Sequence, residues 1–314
     1  MSRDLLAIRH LQPEQIQKLL DLAVDFKQRI TENKPAPEAP PRTVGLLFFE
    51  NSTRTRVSFE QAARYLGYSM VNFSGDGSSM KKGETLKDTV LTLRYERLDG
   101  LVMRHRSSGA PTLAARYFGG PVINAGDGQH EHPTQALGDA MTILERKGTL
   151  EGLRVVIIGD VAHSRVARSN AWLLSKMGAS VRFVGPRALM PNSTAKLPGD
   201  AFYDLRTGIE GADVVIALRL QKERMEDMLL SSVGEYTHLY QVNKQVLRYA
   251  AEDVMVMHPG PLNRGIEVDD HSADGAYSAI TSQITNGIFV RMAALHWIFS
   301  GSEERTEAAG GSKR

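Results

Sequence analysis

Cysteine is absent from the 314 residues, which excludes disulfides, thiolate metal sites and a cysteine nucleophile together. No apolar run reaches the about 18 residues of a membrane-spanning helix. The opening segment, MSRDLLAIRHLQPEQ, lacks the apolar core of a signal peptide, so a cytoplasmic protein is expected. A surplus of one charge is missing as well. Lysine plus arginine number 38 against 36 aspartate plus glutamate, which leaves no basic field for nucleic acid. What remains is an ordinary globular composition, 42% hydrophobic and 24% charged. The length is too great for one simple core and suggests two domains.

The most informative stretch is residues 44–67, VGLLFFENSTRTRVSFEQAARYLG. Six apolar residues, Val44 to Phe49, suit a buried strand. Phe59, Ala62, Ala63 and Leu66 then recur at helical spacing, and Gly67 supplies a stop. Between strand and helix lie Ser52, Thr53, Arg54, Thr55 and Arg56. With Ser52 as N-cap, the free N–H groups of the first turn lie beside hydroxyls and a guanidinium. That is a cradle for an anion, most simply a phosphate. The bland reading, a capped helix with two solvated arginines, fits less well directly after a buried strand.

Strand and helix alternate along the rest of the chain, which predicts parallel sheets with helices on both faces. Strands are expected near 69–73, 99–103 and 121–124, then again near 154–158, 180–184, 213–218 and 254–257. The restart near residue 150 marks a domain boundary. Residues 301–314 have almost no apolar content and read as a disordered tail.

In open parallel sheets, ligands bind at the carboxyl ends of strands. The segments there are Ser52 to Arg56, the Gly/Ser loop Ser74 to Gly83, Arg104-His-Arg, Asp127 to Gln135, Gly159 to Arg165, Arg219-Leu-Gln221 and His258 to Arg264. Basic groups and hydroxyls dominate, so a target with several negative groups is the better reading. Each segment alone has a plain alternative. Arg104 suits an ordinary surface position, Lys81-Lys82 a solvated pair. His130 and His132 lack a third ligand at helical spacing and read as polar loop residues, not a metal site. Gly159-Asp160 lacks the later glycines of a dinucleotide fingerprint.

In order along the chain stand STRTR at Ser52, SSMKKGET at Ser78, VMRH at Val102, HPTQ at His132, GD followed by SR at Ser164, RLQKER at Arg219 and HPGPLNRG at His258. This series resembles the carbamoyltransferases, from about His10 to Phe299, and within them the branch that uses aspartate. The ornithine branch would carry a cysteine-containing HCLP-type motif and a Ser-Met-Gly motif, and neither is present. An arginine at 219 suits an acceptor with a side-chain carboxylate, whereas an ammonium would not pair with it.

The resemblance implies two doubly wound parallel-sheet domains, with the C-terminal helix returning to the first. It assigns 1–147 plus 285–300 to carbamoyl phosphate and 148–284 to aspartate. The implied reaction is carbamoyl transfer from carbamoyl phosphate to aspartate, an early step of pyrimidine biosynthesis, without cofactor or metal. Carried over by position, Ser52, Thr53, Arg54 and Thr55 hold phosphate, with Arg104 bridging phosphate and carbonyl oxygen. Thr55, Arg104 and His132 stabilise the oxyanion, and Gln135 orients the carbamoyl amide. Arg165 grips the α-carboxylate, Arg219 with Gln221 the β-carboxylate. Ser78 and Lys82 come from a neighbouring chain of a homotrimer, and main-chain carbonyls at Pro259 and Gly260 face the reacting nitrogen. The HPGPLNRG form further resembles enzymes that work as bare trimers or with dihydroorotase, and speaks against a separate regulatory chain. A non-catalytic scaffold is the alternative from another class. A broken cradle or a missing Lys82 would favour it, and both are intact.

Overall fold

A computed structural model describes residues 3–37, 39–74, 83–191, 197–220 and 232–310. The chain divides into two compact units, Met1–Leu137 with Asn286–Arg314, and Gly138–Thr285. The resemblance places the two boundaries at 147/148 and 284/285, the first of them ten residues later in the chain.

The first unit opens with α1 (Pro13–Thr31), whose Pro13 sits at the first helical position behind a Gln12–Gln15 capping box. Then follow β1 (Thr43–Phe48), α2 (Thr53–Tyr65), β2 (Ser69–Ser74), α3 (Leu86–Tyr95), β3 (Gly100–His105), α4 (Ala110–Phe118), β4 (Val122–Asp127) and the start of α5 (Pro133–Lys147). All pairings are parallel, in the order β2-β1-β3-β4. Leu47, Leu101, Met103 and Val122 join Val90, Leu93, Ala114 and Phe118 of α3 and α4 in one apolar cluster. The alternate residues Leu46, Val102 and Ile123 are equally buried, so the sheet is covered on both faces.

The second unit continues with β5 (Arg154–Ile158), α6 (Arg165–Lys176), β6 (Ser180–Val184), β7 (Asp200–Phe202), α7 (Leu205–Ile209), β8 (Val214–Ala217), α8 (Val233–Tyr240), α9 (Lys244–Leu247), β9 (Met255–Met257) and α10 (Asp270–Asp274). Its parallel sheet has the order β7-β6-β5-β8-β9. Both faces are again apolar, since Val156 and Val215 lie in one cluster while Val155 and Val214 are buried on the other side.

The last helix, α11 (Ile280–Gly310), extends into the stretch expected to be a disordered tail. From Arg291 to Phe299 every residue but His296 is buried, so this is a core helix and not a one-sided stripe. It packs within the first unit. His296 stands edge-on to Phe26, Phe299 to Tyr68, and Arg291 donates to Ser58 Oγ at 3.0 Å. This is the C-terminal return that the resemblance implied.

Candidate active site

In each sheet the strand order reverses once, and such a switch point opens a crevice beyond the strand ends. In the first unit it lies between β1 and β3, which flank the reversal in the order β2-β1-β3-β4. Ser52, Thr53, Arg54 and Thr55 follow β1. Arg104 is the penultimate residue of β3, in register with Phe48, and does not lie beyond the strand as the sequence suggests. His132 and Gln135 follow β4, the next strand over.

Ser52 is the N-cap residue of α2, but its hydroxyl makes no capping hydrogen bond. The expected cap is therefore positional only, and the hydroxyl keeps its hydrogen-bonding capacity for another partner. Thr53 and Arg54 are exposed, while Thr55 is buried. Arg56 belongs elsewhere: its guanidinium stacks over the Phe48 ring at 5.3 Å. Arg104 donates to Glu50 at 2.9 Å and to the Ala125 carbonyl at 3.3 Å. Glu50 thereby joins the candidate set, although the sequence does not single it out. Its signal was an acidic residue next to a cluster otherwise basic.

The loop before α5 is built around Asp127, which is almost wholly buried. Its oxygens accept from Asn124 Nδ2 and the Gly109 N–H, each at 2.7 Å, and from the Glu131 N–H at 3.2 Å. His130 Nδ1 lies 3.1 Å from both oxygens. Burial pushes this carboxyl up, but the hydrogen bonds from His130, Gly109 and Asn124 outweigh it and hold Asp127 below the ordinary range. Glu131 in turn accepts the Ile8 N–H at 2.7 Å, which ties the N-terminal segment to the same loop. His132 is buried, and its carbonyl accepts the N–H groups of Gln135 and Ala136 to start α5. Among the described residues, no group of three or more His, Asp or Glu is placed to hold a metal ion.

In the second unit the switch lies between β5 and β8. After β5, Gly159 turns with φ +125°, a conformation that L side chains rarely adopt. Asp160 then pairs with His163 Nδ1 at 2.8 Å. Ser164 caps α6 by accepting the Ala167 N–H at 3.1 Å, so Arg165 is the first helical residue. Arg219, half-buried, follows β8. Its neighbour Leu220 donates its N–H to Glu267 at 2.7 Å, and Glu267 also accepts from the Asn263 N–H at 2.9 Å and Asn263 Nδ2 at 2.6 Å. The segment behind β8 is thereby clamped to the one behind β9. Burial pushes the Glu267 carboxyl up, and these donors only partly offset it. Glu267 too was missed, because no short motif links positions 220 and 267.

Beyond β9, His258 is buried, and its Nδ1 accepts the Gly260 N–H at 2.8 Å. Pro259 and Gly260 are half-buried, Gly260 takes φ +62°, and the Gly260–Pro261 peptide is cis. The predicted Ser78, Lys82 and Gln221 lie outside the described residues.

Two family models match the chain. The carbamoyl-P binding domain of aspartate/ornithine carbamoyltransferase covers residues 3–145, and the Asp/Orn binding domain covers 151–298. The aspartate carbamoyltransferase catalytic subunit of Desulforamulus reducens is 49% identical over 300 residues, 95% of this chain and 96% of that protein. Among solved structures, aspartate transcarbamoylase from Trypanosoma cruzi, in complex with N-(phosphonacetyl)-L-aspartic acid, is 34% identical with a TM-score of 0.84. That match covers 94% of this chain and 95% of the other. Ornithine carbamoyltransferase from Pyrococcus furiosus is 31% identical with a TM-score of 0.85, over 94% and 96%.

Proposed function

Taking as premise that this chain belongs to the aspartate/ornithine carbamoyltransferase family, we propose how its own residues carry the reaction. The enzyme transfers the carbamoyl group of carbamoyl phosphate to the α-amine of L-aspartate, giving N-carbamoyl-L-aspartate and phosphate. The aspartate nitrogen forms a bond to the carbamoyl carbon, and the bond from that carbon to the phosphate oxygen breaks. The amine gives up one proton, for which the departing phosphate is the acceptor.

Two anions must meet for this. Carbamoyl phosphate carries about two negative charges and aspartate two carboxylates, so fixed cations have to offset their repulsion. In the first unit the phosphate is held by Ser52, Thr53, Arg54, Thr55 and the α2 N-terminus. What supports this is the uncommitted Ser52 hydroxyl and the position at a switch point. Arg104, Thr55 and His132 meet the developing oxyanion, and Gln135 orients the amide. The phosphate competes with Glu50 for Arg104, exchanging one carboxylate partner for a more highly charged one. In the second unit Arg165 takes the α-carboxylate and Arg219 with Gln221 the β-carboxylate. Carbonyls at Pro259 and Gly260 face the nitrogen.

The observation that carries this reading is the coincidence of residue type with topology. In both sheets the strands flanking the switch point bring basic residues to their carboxyl ends, Arg54 after β1 and Arg104 at the end of β3 in one, Arg165 after β5 and Arg219 after β8 in the other. We further propose a cytoplasmic homotrimer, with Ser78 and Lys82 of each chain serving its neighbour's site, that works as a bare trimer or with dihydroorotase and not with a regulatory chain. No described helix is long and apolar enough to cross a membrane. The test of function is product formation from carbamoyl phosphate with aspartate or ornithine side by side. Aspartate is expected to be the acceptor; preference for ornithine would overturn the assignment.

A further inference from the structure

Asp139 stands on α5 with no solvent exposure, and the reaction as derived gives it no part. Its two oxygens are occupied from two directions. One accepts from Asn170 Nδ2 of α6 at 2.7 Å, the other from Gln283 Nε2 of α11 at 2.9 Å. A carboxylate only accepts, so it decides the orientation of both amides. With its N–H2 turned toward Asp139, Gln283 presents Oε1 the other way, where it accepts the His258 N–H at 2.9 Å. His258 then takes the Gly260 N–H on Nδ1. On the other branch, Asn170 also donates to the Val166 carbonyl at 3.1 Å, in the first turn of α6 beside Arg165.

One buried carboxylate thus stands at the root of two hydrogen-bonded lines. One reaches the turn that presents Pro259 and Gly260, the other the turn that begins with Arg165. Asn170, Gln283 and His258 are each at least nine-tenths buried, so water cannot easily replace a lost partner along either line. We propose that Asp139 is a positioning residue for aspartate capture, holding through Asn170 and Gln283 the two turns that carry Arg165 and the Pro259–Gly260 carbonyls. This rests on the roles given above to those turns.

Asp139→Asn keeps the shape but turns one acceptor into an N–H2 that faces the N–H2 of Asn170 or Gln283. The expected result is a folded protein whose aspartate KM rises about tenfold or more while its carbamoyl phosphate KM stays within about twofold. A role in stability alone would lower the melting temperature without splitting the two KM values. Gln283→Glu alone sets two carboxylates against each other and is expected to fail likewise. Combined with Asp139→Asn it restores the pattern, since the new carboxylate at 283 accepts from both the new amide and the His258 N–H. The double variant is therefore expected to regain an aspartate KM within about threefold of wild type. Should Asp139→Asn fail to fold, Gln283→Leu breaks the same line one member further on, removing the contacts to Asp139 and to His258 together, and the same selective rise in aspartate KM is expected. A folded variant with unchanged aspartate KM, or a folded double variant without recovery, overturns the proposal. Wild-type protein that does not carbamoylate aspartate fails the functional reading itself, and this is seen before any variant is compared.

Discussion

Arg54 and Arg56 look alike in the sequence, two arginines alternating with threonines in one helical turn. The fold separates them: Arg56 stacks on Phe48, whereas Arg54 is exposed at the start of α2. Arg54→Ala is therefore expected to lower turnover at least about a hundredfold, the effect of losing one strong donor to developing charge. The fold should persist, because an exposed side chain at a helix start adds little packing. Near-normal turnover in steady-state assays, or aggregation, would make this arginine structural. Arg219 makes a different demand. It has a buried neighbour on either side, Leu218 and Leu220, and the Glu267 clamp fixes the adjacent peptide. Arg219→Ala is expected to raise the aspartate KM about tenfold or more, one charged hydrogen bond being worth about 1.5–3 kcal/mol. The carbamoyl phosphate KM should move little. Equal shifts in both would place Arg219 outside aspartate binding.

At the scale of elements, the segment from β4 to α5 is gathered by hydrogen bonds to the buried Asp127 carboxylate. The folded-state pKa of Asp127 lies below its unfolded value, near the ordinary carboxylate figure of about 3.9. Its contribution to stability is thus fully present above that value and is lost as pH falls through the lower folded-state pKa. Asp127→Asn should flatten this part of the acid limb in denaturation midpoints measured across acid pH, with lower stability at neutrality. An acid limb superimposable on that of wild type would show that these hydrogen bonds do not depress the carboxyl. The same scale shows what periodicity could and could not reveal. Strands such as β5 were legible because their apolar runs are buried on both faces. By contrast, β7 spans three residues, two of them exposed, and α7 and α9 have five and four. Such pieces complete too little of a period to stand out.

For the whole molecule, the shared-site proposal makes a numerical prediction. Arg54→Ala and Lys82→Ala chains are each expected to be inactive alone. If each site of a three-chain ring takes Arg54 from one chain and Lys82 from the next, a mixed ring has one intact site. Random equal mixing gives mixed rings in about three cases of four, so activity should return to about one quarter of wild type. Subunit exchange verified by mass spectrometry, with no recovery, would place Lys82 in its own chain's site.

The sequence by itself determined the strand and helix at residues 43–65, the alternation that makes two parallel sheets, and the residue types near the end of each strand. Those features are local: a cap, a glycine stop or a buried run depends on neighbours a few residues away. Only the tertiary structure decided which polar groups meet. Asp139 finds Gln283 across 144 positions, Ile8 finds Glu131 across 123, and Leu220 finds Glu267 across 47. Strand order brings such partners together. That order is set by how each sheet buries both its faces, a condition on the whole domain that no short window of sequence contains.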